Sequence, residues 1–444
     1  MRLTILGGGG FRVPLVVRAL RAPSAVGLVD EVVLHDVDAE RLRAISNVVR
    51  EIPGAGPRVG GTTSLDDALR GADVVFSAIR VGSAAGRVAD EQVALDLGVL
   101  GQETTGAGGV AYALRTLPVA TDVARRVAEL APSAWVVNFT NPAGMVTRAM
   151  GEVLGERVIG ICDSPSGLVR RAALAAGLDP TAVRADYAGL NHLGWLRALW
   201  VGDANHLPAL LANDGRLASF EEGRLFGPTL PRLLGALPNE YLFYYYCTRE
   251  AVAAMRAAPA TRGMTLAAAQ AELYPALAGS SSGALELWEA ARRSREEGYL
   301  AEARGSGEQR DEADLAGGGY EQVALAVMRA VLTGAPAELI LNVRNGSALT
   351  QLPPDAVVEV PARVDSGGAH PFTLGPFDAH QLGLVSSMRA VEDATLLAAR
   401  TGSRSAALQA LTVHPLVDSA RVAQALLGGY LAAHPQLRAL LTKP

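Results

Sequence analysis

Short apolar runs alternate with helix-like stretches over the first 160 residues of the chain. The apolar runs have the length of buried strands, and the stretches between them are rich in alanine, leucine and arginine. The runs cover residues 3–6, 31–36, 73–78, 135–139 and 158–161. Alternation of this kind predicts a parallel sheet covered by helices on both faces.

The alternation weakens from about residue 170. Strands are predicted at 184–189, 196–201, 339–343 and 357–361, and helices at 283–304, 321–332 and over most of 383–441. The polar, glycine-containing segment 305–312 is expected to be a mobile loop. The fold class that follows is α/β: a Rossmann-like doubly wound parallel sheet over residues 1–168, then an α+β domain over residues 169–444 for substrate binding and oligomer contacts.

A glycine cluster at residues 7–10 follows the first predicted strand, and helical periodicity begins at Phe11. Glycine at a strand-to-helix turn lets the backbone approach a pyrophosphate. The motif by itself is equally typical of a plain turn, because Arg12 occupies the place of its third glycine. Asp36 ends the second strand, where an acid would bond a ribose diol and repel a 2′-phosphate, which favours NAD over NADP.

Polar clusters follow four of the predicted strands or the helices after them. They are Arg80 with Arg87, residues 102–105, residues 138–141, and Cys162 with Asp163. Ligands of open α/β sheets bind outside the carboxyl ends of the strands, so the clusters predict one common site. The residues expected to bind the cofactor are Gly7, Gly8, Gly9, Phe11, Arg12, Asp36, Arg80 and Asn138.

Cys162 and His192 are candidate metal ligands. A thiolate and an imidazole suit one divalent transition metal, and two protein ligands leave positions open for substrate or water. The alternative for such a pair is an inert buried cysteine and a packed histidine. Four tyrosines lie within residues 241–246, where most are expected to pack and one to take part in chemistry.

Composition narrows the class of partner. A net charge of −5 gives no basic excess for nucleic acid, and 49% of the residues are hydrophobic. Mean hydropathy is +0.20, yet no run of about twenty uncharged apolar residues predicts a membrane span. The first residues enter a strand directly, which argues against an export signal, and two cysteines are typical of a reducing compartment. A cytoplasmic location is therefore expected.

From these residues alone, a dehydrogenase acting on a polar hydroxylated substrate is the first hypothesis, with the metal polarising a hydroxyl. A nucleotide-binding regulator without turnover is the rival from another class.

Eight short strings, in one order from residue 1 to about residue 420, resemble a known family. They occupy residues 7–9, 101–106, 138–142, 160–163, 189–193, 241–245, 342–346 and 352–355. The similarity is to the NAD- and metal-dependent family-4 glycoside hydrolases, and within them to the 6-phospho-β-glucosidases.

The resemblance implies hydrolysis of a phosphorylated glycoside by a route that does not use paired carboxylates. The sugar is oxidised at C3 with NAD⁺ as hydride acceptor, deprotonated at C2, and freed from its aglycone by elimination. Water addition and re-reduction complete the cycle. The implied metal ligands for Mn²⁺ or another divalent ion are Cys162 and His192. The implied catalytic residues are Tyr241 as base, Glu103 as the acid that increases its basicity, and Asp163.

The implied substrate contacts are Arg87, Asn141, Asn191 and Arg262, since an arginine fork suits a 6-phosphate. Three departures keep alternatives open. Asp163 stands where β-specific relatives often carry Asn and α-specific ones carry an acid, Phe243 replaces an arginine of some relatives, and Arg12 is unusual after the glycines. The alternatives are a 6-phospho-α-glucosidase, a glycosidase of non-phosphorylated sugars, and a net NAD-dependent dehydrogenase. A homodimer or homotetramer is expected.

Overall fold

The computed structural model describes residues 1–299 and 319–443. The strands are β1 (Arg2–Leu6), β2 (Glu31–His35), β3 (Arg58–Thr62), β4 (Val74–Ser77), β5 (Trp135–Asn138), β6 (Val158–Gly160), β7 (Arg184–Leu190), β8 (Leu193–Val201), β9 (Ala204–Asn205), β10 (Leu237–Pro238), β11 (Ala337–Arg344), β12 (Val357–Asp365) and β13 (Gly368–Pro371).

Helices α1 to α10 come from the first half of the chain. They are α1 (Val13–Leu20), α2 (Ala39–Glu51), α3 (Leu65–Leu69), α4 (Ser83–Asp96), α5 (Ala107–Leu130), α6 (Ala143–Leu154), α7 (Ser164–Ala175), α8 (Leu207–Leu211), α9 (Asp214–Ala218) and α10 (Glu221–Phe226). The later helices are α11 (Thr229–Leu234), α12 (Phe243–Tyr246), α13 (Thr248–Ala257), α14 (Arg262–Gly279), α15 (Ala284–Glu297), α16 (Tyr320–Thr333), α17 (Ala379–Thr401), α18 (Arg404–Thr412), α19 (Ala420–Ala433) and α20 (Pro435–Leu440).

The first six strands form a parallel array in the order β3-β2-β1-β4-β5-β6. This is the strand order of a doubly wound dinucleotide-binding fold, and it confirms the predicted parallel sheet. The crossover between β1 and β4 is the point where the strand order reverses.

Alternate residues of the central strands enter two different hydrophobic cores. In β4, Val74 and Phe76 pack into one core while Val75 packs into the other, and in β5 Val137 and Val136 divide in the same way. Side chains of a strand point to opposite faces in turn, so a strand buried on both faces is apolar at every position. This explains the unbroken apolar runs in the sequence.

The second half of the chain continues the same sheet. Beyond β6 the order is β11-β12-β7-β8-β10, and every described contact in this part is antiparallel. Gly160 of β6 pairs with Asn342 of β11. The α+β part is therefore joined to the parallel part edge to edge, and the boundary between residues 168 and 169 stays a prediction.

Most predicted elements of the second half are confirmed, with shifted ends. The strands flanking Asn191 and His192 form the hairpin β7–β8, in which Leu190 pairs with Leu193. The helix expected at 283–304 is α15, described as far as Glu297, and the predicted loop at 305–312 lies outside the described residues. In the part of the chain that the structure describes, no helix combines the length and apolar character needed to cross a bilayer.

Replacing Gly160 by alanine tests the seam between the two halves. A Cβ at this position would lie 2.3 Å from Oγ1 of Thr147 and 2.7 Å from Cβ of Asn342, in a fully packed setting. Overpacking of this kind costs about 1–3 kcal/mol. We expect Gly160→Ala to lower the midpoint of thermal unfolding, measured by calorimetry.

The matched control is Gly151→Ala. Gly151 lies in α6, and no atom of a neighbouring segment comes within 4 Å of the place that an alanine methyl group would take. Alanine is favoured over glycine in a helix by about 0.5–1 kcal/mol, so this variant should be neutral or more stable. Equal stability of the two variants would contradict the close packing of the seam.

Candidate functional site

A cavity of about 1430 Å³ opens at the carboxyl ends of β1, β4, β5 and β6. Its walls come from the glycine turn, from the loops after β4 and β5, and from α7, α14, α15 and α16. The volume exceeds the roughly 300–1,000 Å³ of an ordinary small-molecule site, so a dinucleotide and a second ligand can share it. The predicted polar clusters do gather at this one edge of the sheet.

The glycine turn between β1 and α1 leaves no room for side chains. Gly7 has a φ of +79°, and a Cβ there would lie 2.4 Å from the carbonyl oxygen of Ala78. Helix α1 then begins at Val13, whose amide donates to the carbonyl of Gly10 at 3.1 Å, and in the described part of the chain no side chain caps the helix. This bare turn at a helix N-terminus fits the pyrophosphate of a dinucleotide.

Asp36 stands at the end of β2, as predicted, and its carboxylate contacts the glycine turn. Oδ2 accepts a hydrogen bond from the amide of Gly9 at 2.9 Å. Arg41, at the start of α2, lines the cavity next to this turn with its guanidinium carbon 3.7 Å from the ring centre of Tyr274. The hydroxyl of Tyr274 donates to the carbonyl of Gly9 at 2.8 Å, so α14 buttresses the turn from outside.

Two arginines and two glutamates form a connected chain along one wall. Arg80 lies 2.7 Å and Arg87 2.9 Å from the carboxylate of Glu103. Burial opposes ionisation of Glu103, but the charges of Arg80 and Arg87 outweigh it and lower its pKa to about 2. Arg87 also bonds Glu91 at 2.7 Å, and Glu91 accepts the amide of Gly263 at 2.7 Å. The wall is thereby tied to the first turn of α14.

This link brings together Arg87 and Arg262, the two arginines predicted to bind the substrate. Arg262, the first residue of α14, donates to the carbonyl of Arg295 at 2.6 Å, and its guanidinium fills the space beside Gly298. The side chain of Arg295 stacks 5.0 Å from the ring centre of Phe11. Burial, and then the nearby charges of Arg12 and Arg87, lower the pKa of Arg295 to about 9. Positive charge is thus concentrated here, which favours an anionic ligand.

His192 reaches the cavity from the tip of the β7–β8 hairpin. It has a φ of +62°, a left-handed conformation that costs a non-glycine residue about 1–3 kcal/mol. Its Nδ1 is hydrogen-bonded to Oγ1 of Thr104 at 3.1 Å, which leaves Nε2 for another partner. Burial lowers the pKa of His192 to about 3, so the ring is the neutral form that binds metals.

Cys162 lies in the same cavity directly after β6. Burial, together with the charges of Glu359 and Asp163, raises the pKa of its thiol, and a bound cation would reverse that effect. Asn141 also lines the cavity, and its buried Oδ1 has no hydrogen-bond partner among the described residues. Within residues 1–299 and 319–443 no three acidic, cysteine or histidine side chains form a closed cage. This set of donors fits an open divalent metal site and not a structural one.

Tyr241 lies against the candidate metal ligand. Its ring is parallel to that of His192, with centroids 3.6 Å apart and an interplanar angle of 4°. Its hydroxyl is 2.9 Å from the hydroxyl of Tyr299, which is 2.7 Å from the carboxylate of Glu240. The predicted base is therefore next to the predicted metal site.

Asp163 follows Cys162, directly before the first residue of α7, and lies close to the glycine turn. Arg12 lies 3.6 Å from its carboxylate and 3.9 Å from that of Glu296. The guanidinium of Arg12 also lies over the ring of Tyr320 at 5.3 Å. Arg12, unusual after a glycine turn, thus links that turn to the predicted catalytic acid.

Several predicted site residues do not line the cavity. They are Gly8, Gly9, Asp36, Asn138 and Asn191. The amide of Asn138 is fully buried and bonds Thr147 and the backbone of the β5–α6 turn, so it shapes the turn without reaching a ligand. Asn191 bonds the amide of Ala143 and the carboxylate of Glu359, which holds the hairpin tip.

Several other residues of the cavity wall were not predicted from the sequence. They include Arg41, Glu240, Arg295, Tyr299 and Tyr320. All but Arg41 come from the second half of the chain, and apart from Tyr320, which follows three glycines, none adjoins a glycine, cysteine or histidine motif. Only Glu240 had a direct signal in the sequence, because it precedes Tyr241, the predicted base.

These features define a class of protein: an enzyme with a dinucleotide-binding sheet whose cleft also presents a cysteine and a histidine as candidate metal ligands, a tyrosine and an arginine cluster. Comparison with family models gives the particular family. Residues 2–177 match the family 4 glycosyl hydrolase model, and residues 187–417 match the family 4 glycosyl hydrolase C-terminal domain. The chain belongs to family 4 of the glycosyl hydrolases.

Individual relatives agree over nearly the whole chain. The 6-phospho-beta-glucosidase of Escherichia coli (strain K12) is 30% identical, over 98% of this chain and 95% of its own. A Thermotoga maritima 6-phospho-beta glucosidase, solved with manganese, NAD⁺ and glucose-6-phosphate, is 26% identical with a TM-score of 0.81, over 98% and 99%. A 6-phospho-alpha-glucosidase from gut microorganisms, solved with NAD and glucose-6-phosphate, is 26% identical with a TM-score of 0.82, over 98% of each chain.

Thr104→Val tests the metal pair without altering a ligand. The substitution removes the hydroxyl bonded to Nδ1 of His192 while keeping the shape of the side chain. Loss of such a supporting bond typically costs 10- to 100-fold in metal affinity, so we expect the Kd for Mn²⁺ to rise by about that factor in titration calorimetry. Thr105→Val is the control, because the buried Oγ1 of Thr105 has no hydrogen-bond partner in the part of the chain that the structure describes. Equal Mn²⁺ affinities of the two variants would contradict the assignment.

Proposed function

We propose that this chain hydrolyses 6-phospho-β-glucosides with NAD and a divalent metal ion, by transient oxidation of the sugar. The observation that carries the proposal is the stacking of Tyr241 on His192, within the cavity shared by the glycine turn, Cys162 and the arginine cluster. Relatives that bind NAD, manganese and glucose-6-phosphate support it.

The cofactors set the chemistry that the protein residues serve. The glycine turn before α1 would hold NAD, and Cys162 with His192 would hold the metal ion. When bound, NAD would supply a hydride acceptor for C3 of the sugar, and the metal ion would supply positive charge that stabilises an enolate.

Tyr241 is the proposed base for C2. Oxidation at C3 acidifies the C2 proton, Tyr241 in its phenolate form takes that proton and becomes the neutral phenol, and the C–H electron pair remains on the sugar as an enolate. Collapse of that enolate expels the aglycone from C1. Asp163, beside Cys162, is the proposed acid for the leaving group, and Arg12 lies 3.6 Å from its carboxylate.

The arginine cluster is the proposed receptor for the 6-phosphate. The side chain of Arg87 reaches the start of α14, where Arg262 is the first residue. Asn141 presents a buried amide oxygen that has no partner among the described residues and can accept a hydrogen bond from a sugar hydroxyl. Glu103 keeps Arg80 and Arg87 in place, so its bonds in this structure support phosphate binding rather than a direct contact with Tyr241.

Hydrolysis of 6-phospho-α-glucosides is the second candidate. It is favoured by the carboxylate at position 163, since an acid there can protonate an α-leaving group, and by curated relatives with that activity. We keep the β-anomer first because the string at Tyr241 is more similar to that branch.

The experiment that tests the function is a panel of nitrophenyl glucosides that differ in anomer and in phosphorylation. We expect hydrolysis of the 6-phospho-β-glucoside only when Mn²⁺, NAD⁺ and a thiol reductant are all present. Chelation of the metal should abolish turnover, and re-addition should restore it. Steady accumulation of NADH with substrate would instead indicate a net dehydrogenase.

Arg262→Met tests the phosphate receptor. A hydrogen bond to a charged group contributes about 1.5–3 kcal/mol, so we expect kcat/KM for the phosphorylated glucoside to fall about 10- to 150-fold. Arg256→Met, on the exposed face of α13, removes an equal charge outside the cavity and should leave kcat/KM unchanged. An equal loss in both variants would point to long-range charge and not to a phosphate contact.

A further inference from the structure

Tyr299 has a place in the site that the proposed reaction does not yet use. It follows α15 by two residues, lines the cavity, and puts its hydroxyl 2.9 Å from the hydroxyl of Tyr241. Among residues 1–299 and 319–443, it is the hydrogen-bond partner of the Tyr241 hydroxyl. The ring of Tyr241 is held by its stacking on His192, whereas its oxygen is held by Tyr299.

A buried carboxylate anchors Tyr299 from the other side. Oε1 of Glu240 lies 2.7 Å from the Tyr299 hydroxyl and accepts a second hydrogen bond from Oγ of Ser164 at 2.8 Å. Its other oxygen is 3.6 Å from the guanidinium of Arg171. Glu240 is 5% exposed and has a partner on both oxygens, so its carboxylate is held in place and in turn fixes the hydroxyl of Tyr299.

The hydroxyl of Tyr299 is chemically suited to lie between the Glu240 carboxylate and the Tyr241 oxygen. A carboxylate only accepts hydrogen bonds, whereas a tyrosine hydroxyl both donates and accepts. Tyr299 can therefore donate to Glu240 while accepting from Tyr241, or turn its one proton toward Tyr241 when that oxygen needs a donor. In either arrangement the oxygen of Tyr241 keeps a partner and its position.

We propose that Tyr299, anchored on Glu240, is a positioning residue that holds the oxygen of Tyr241 where it takes the C2 proton of the sugar. The inference rests on the proposed function, because it assigns Tyr241 as the base. Tyr299 itself forms no bond with the substrate in this step. The proton passes from C2 to the Tyr241 oxygen, and the electron pair stays on the sugar.

Tyr299→Phe tests this role because it removes the hydroxyl and keeps the ring. A misplaced base slows deprotonation, so we expect kcat for the 6-phosphoglucoside to fall about 10- to 100-fold, with KM and the Kd for NAD⁺ within about 2-fold of wild type. Deprotonation should become more rate-limiting. The isotope effect on kcat should therefore rise for substrate deuterated at C2, and it should not rise for substrate deuterated at C3.

Tyr245→Phe is the matched control. Tyr245 belongs to the same tyrosine cluster and packs against the core, but it does not line the cavity. Tyr245→Phe also removes a phenol hydroxyl, and it should leave kcat and both isotope effects unchanged. Glu240→Gln is a second variant that keeps the ring of Tyr299 and replaces its anchor by a neutral amide. It should raise the C2 isotope effect in the same direction, and it carries the test if Tyr299→Phe does not fold.

The outcomes separate the two levels of the proposal. A wild-type enzyme that hydrolyses the glucoside without exchanging the C2 proton with solvent would overturn the proposed function and the role of Tyr299 with it. A wild-type enzyme that exchanges this proton, alongside Tyr299→Phe and Glu240→Gln variants with wild-type C2 isotope effects, would overturn the positioning role alone.

Discussion

The buried carboxylate of Glu359 is the interaction on which the assembled site depends. It accepts hydrogen bonds from Tyr187 of β7 at 3.1 Å, from Asn342 of β11 at 2.8 Å, and from Asn191 at the hairpin tip at 3.2 Å. Burial raises its pKa to about 7, even though these three donors act in the opposite direction. A buried acid is tolerated only when its oxygens have hydrogen-bond partners. Here those partners come from three segments, which the carboxylate therefore holds together.

That arrangement explains how the two halves of the chain make one site. Asn342 pairs with Gly160 two residues before Cys162, and Asn191 is adjacent to His192. The same carboxylate therefore sets the distance between the strand that carries the thiol and the hairpin that carries the imidazole. The left-handed backbone of His192 is a strain that this packing sustains, at a residue whose side chain is a proposed metal ligand.

The charged side chains of the cavity wall are likewise held in pairs of opposite charge. Glu103 and Glu91 hold arginines along the wall, and Asp163 and Glu296 hold Arg12. Burial is the main cause of the lowered pKa of Arg295, and the charges of Arg12 and Arg87 lower it further. The proposed ligands, a dinucleotide and a sugar phosphate, both bring negative charge, so these arginines would favour their binding.

Much of the first half could be predicted from the sequence. Parallel strands end at a common edge, so polar residues after β4, β5 and β6 had to meet there, as Arg80, Asn141 and Cys162 do. The same reasoning placed Asn138 at a ligand, where its amide in fact closes the local turn. A strand-end position is readable from the sequence, but the direction of a side chain within a turn is not.

The second half was readable mainly through its resemblance to a family. Helices α14, α15 and α16 return to the glycine turn through bonds to backbone carbonyls: Tyr274 to Gly9, Trp288 to Phe11, and Tyr320 to Arg12. Any residue supplies a backbone carbonyl, so such contacts leave no pattern at the partner position.

The sequence by itself determined the parallel sheet, the glycine turn and the residue types of the metal pair, because these rest on local periodicity and on short motifs. Only the tertiary structure decided that Tyr299 and Glu240 stand behind Tyr241, and that Arg262 and Arg295 join Arg87. Those contacts join residues from distant parts of the chain, apart from the neighbouring pair Glu240 and Tyr241. Their positions follow from which surfaces pack together, a property of the folded chain as a whole.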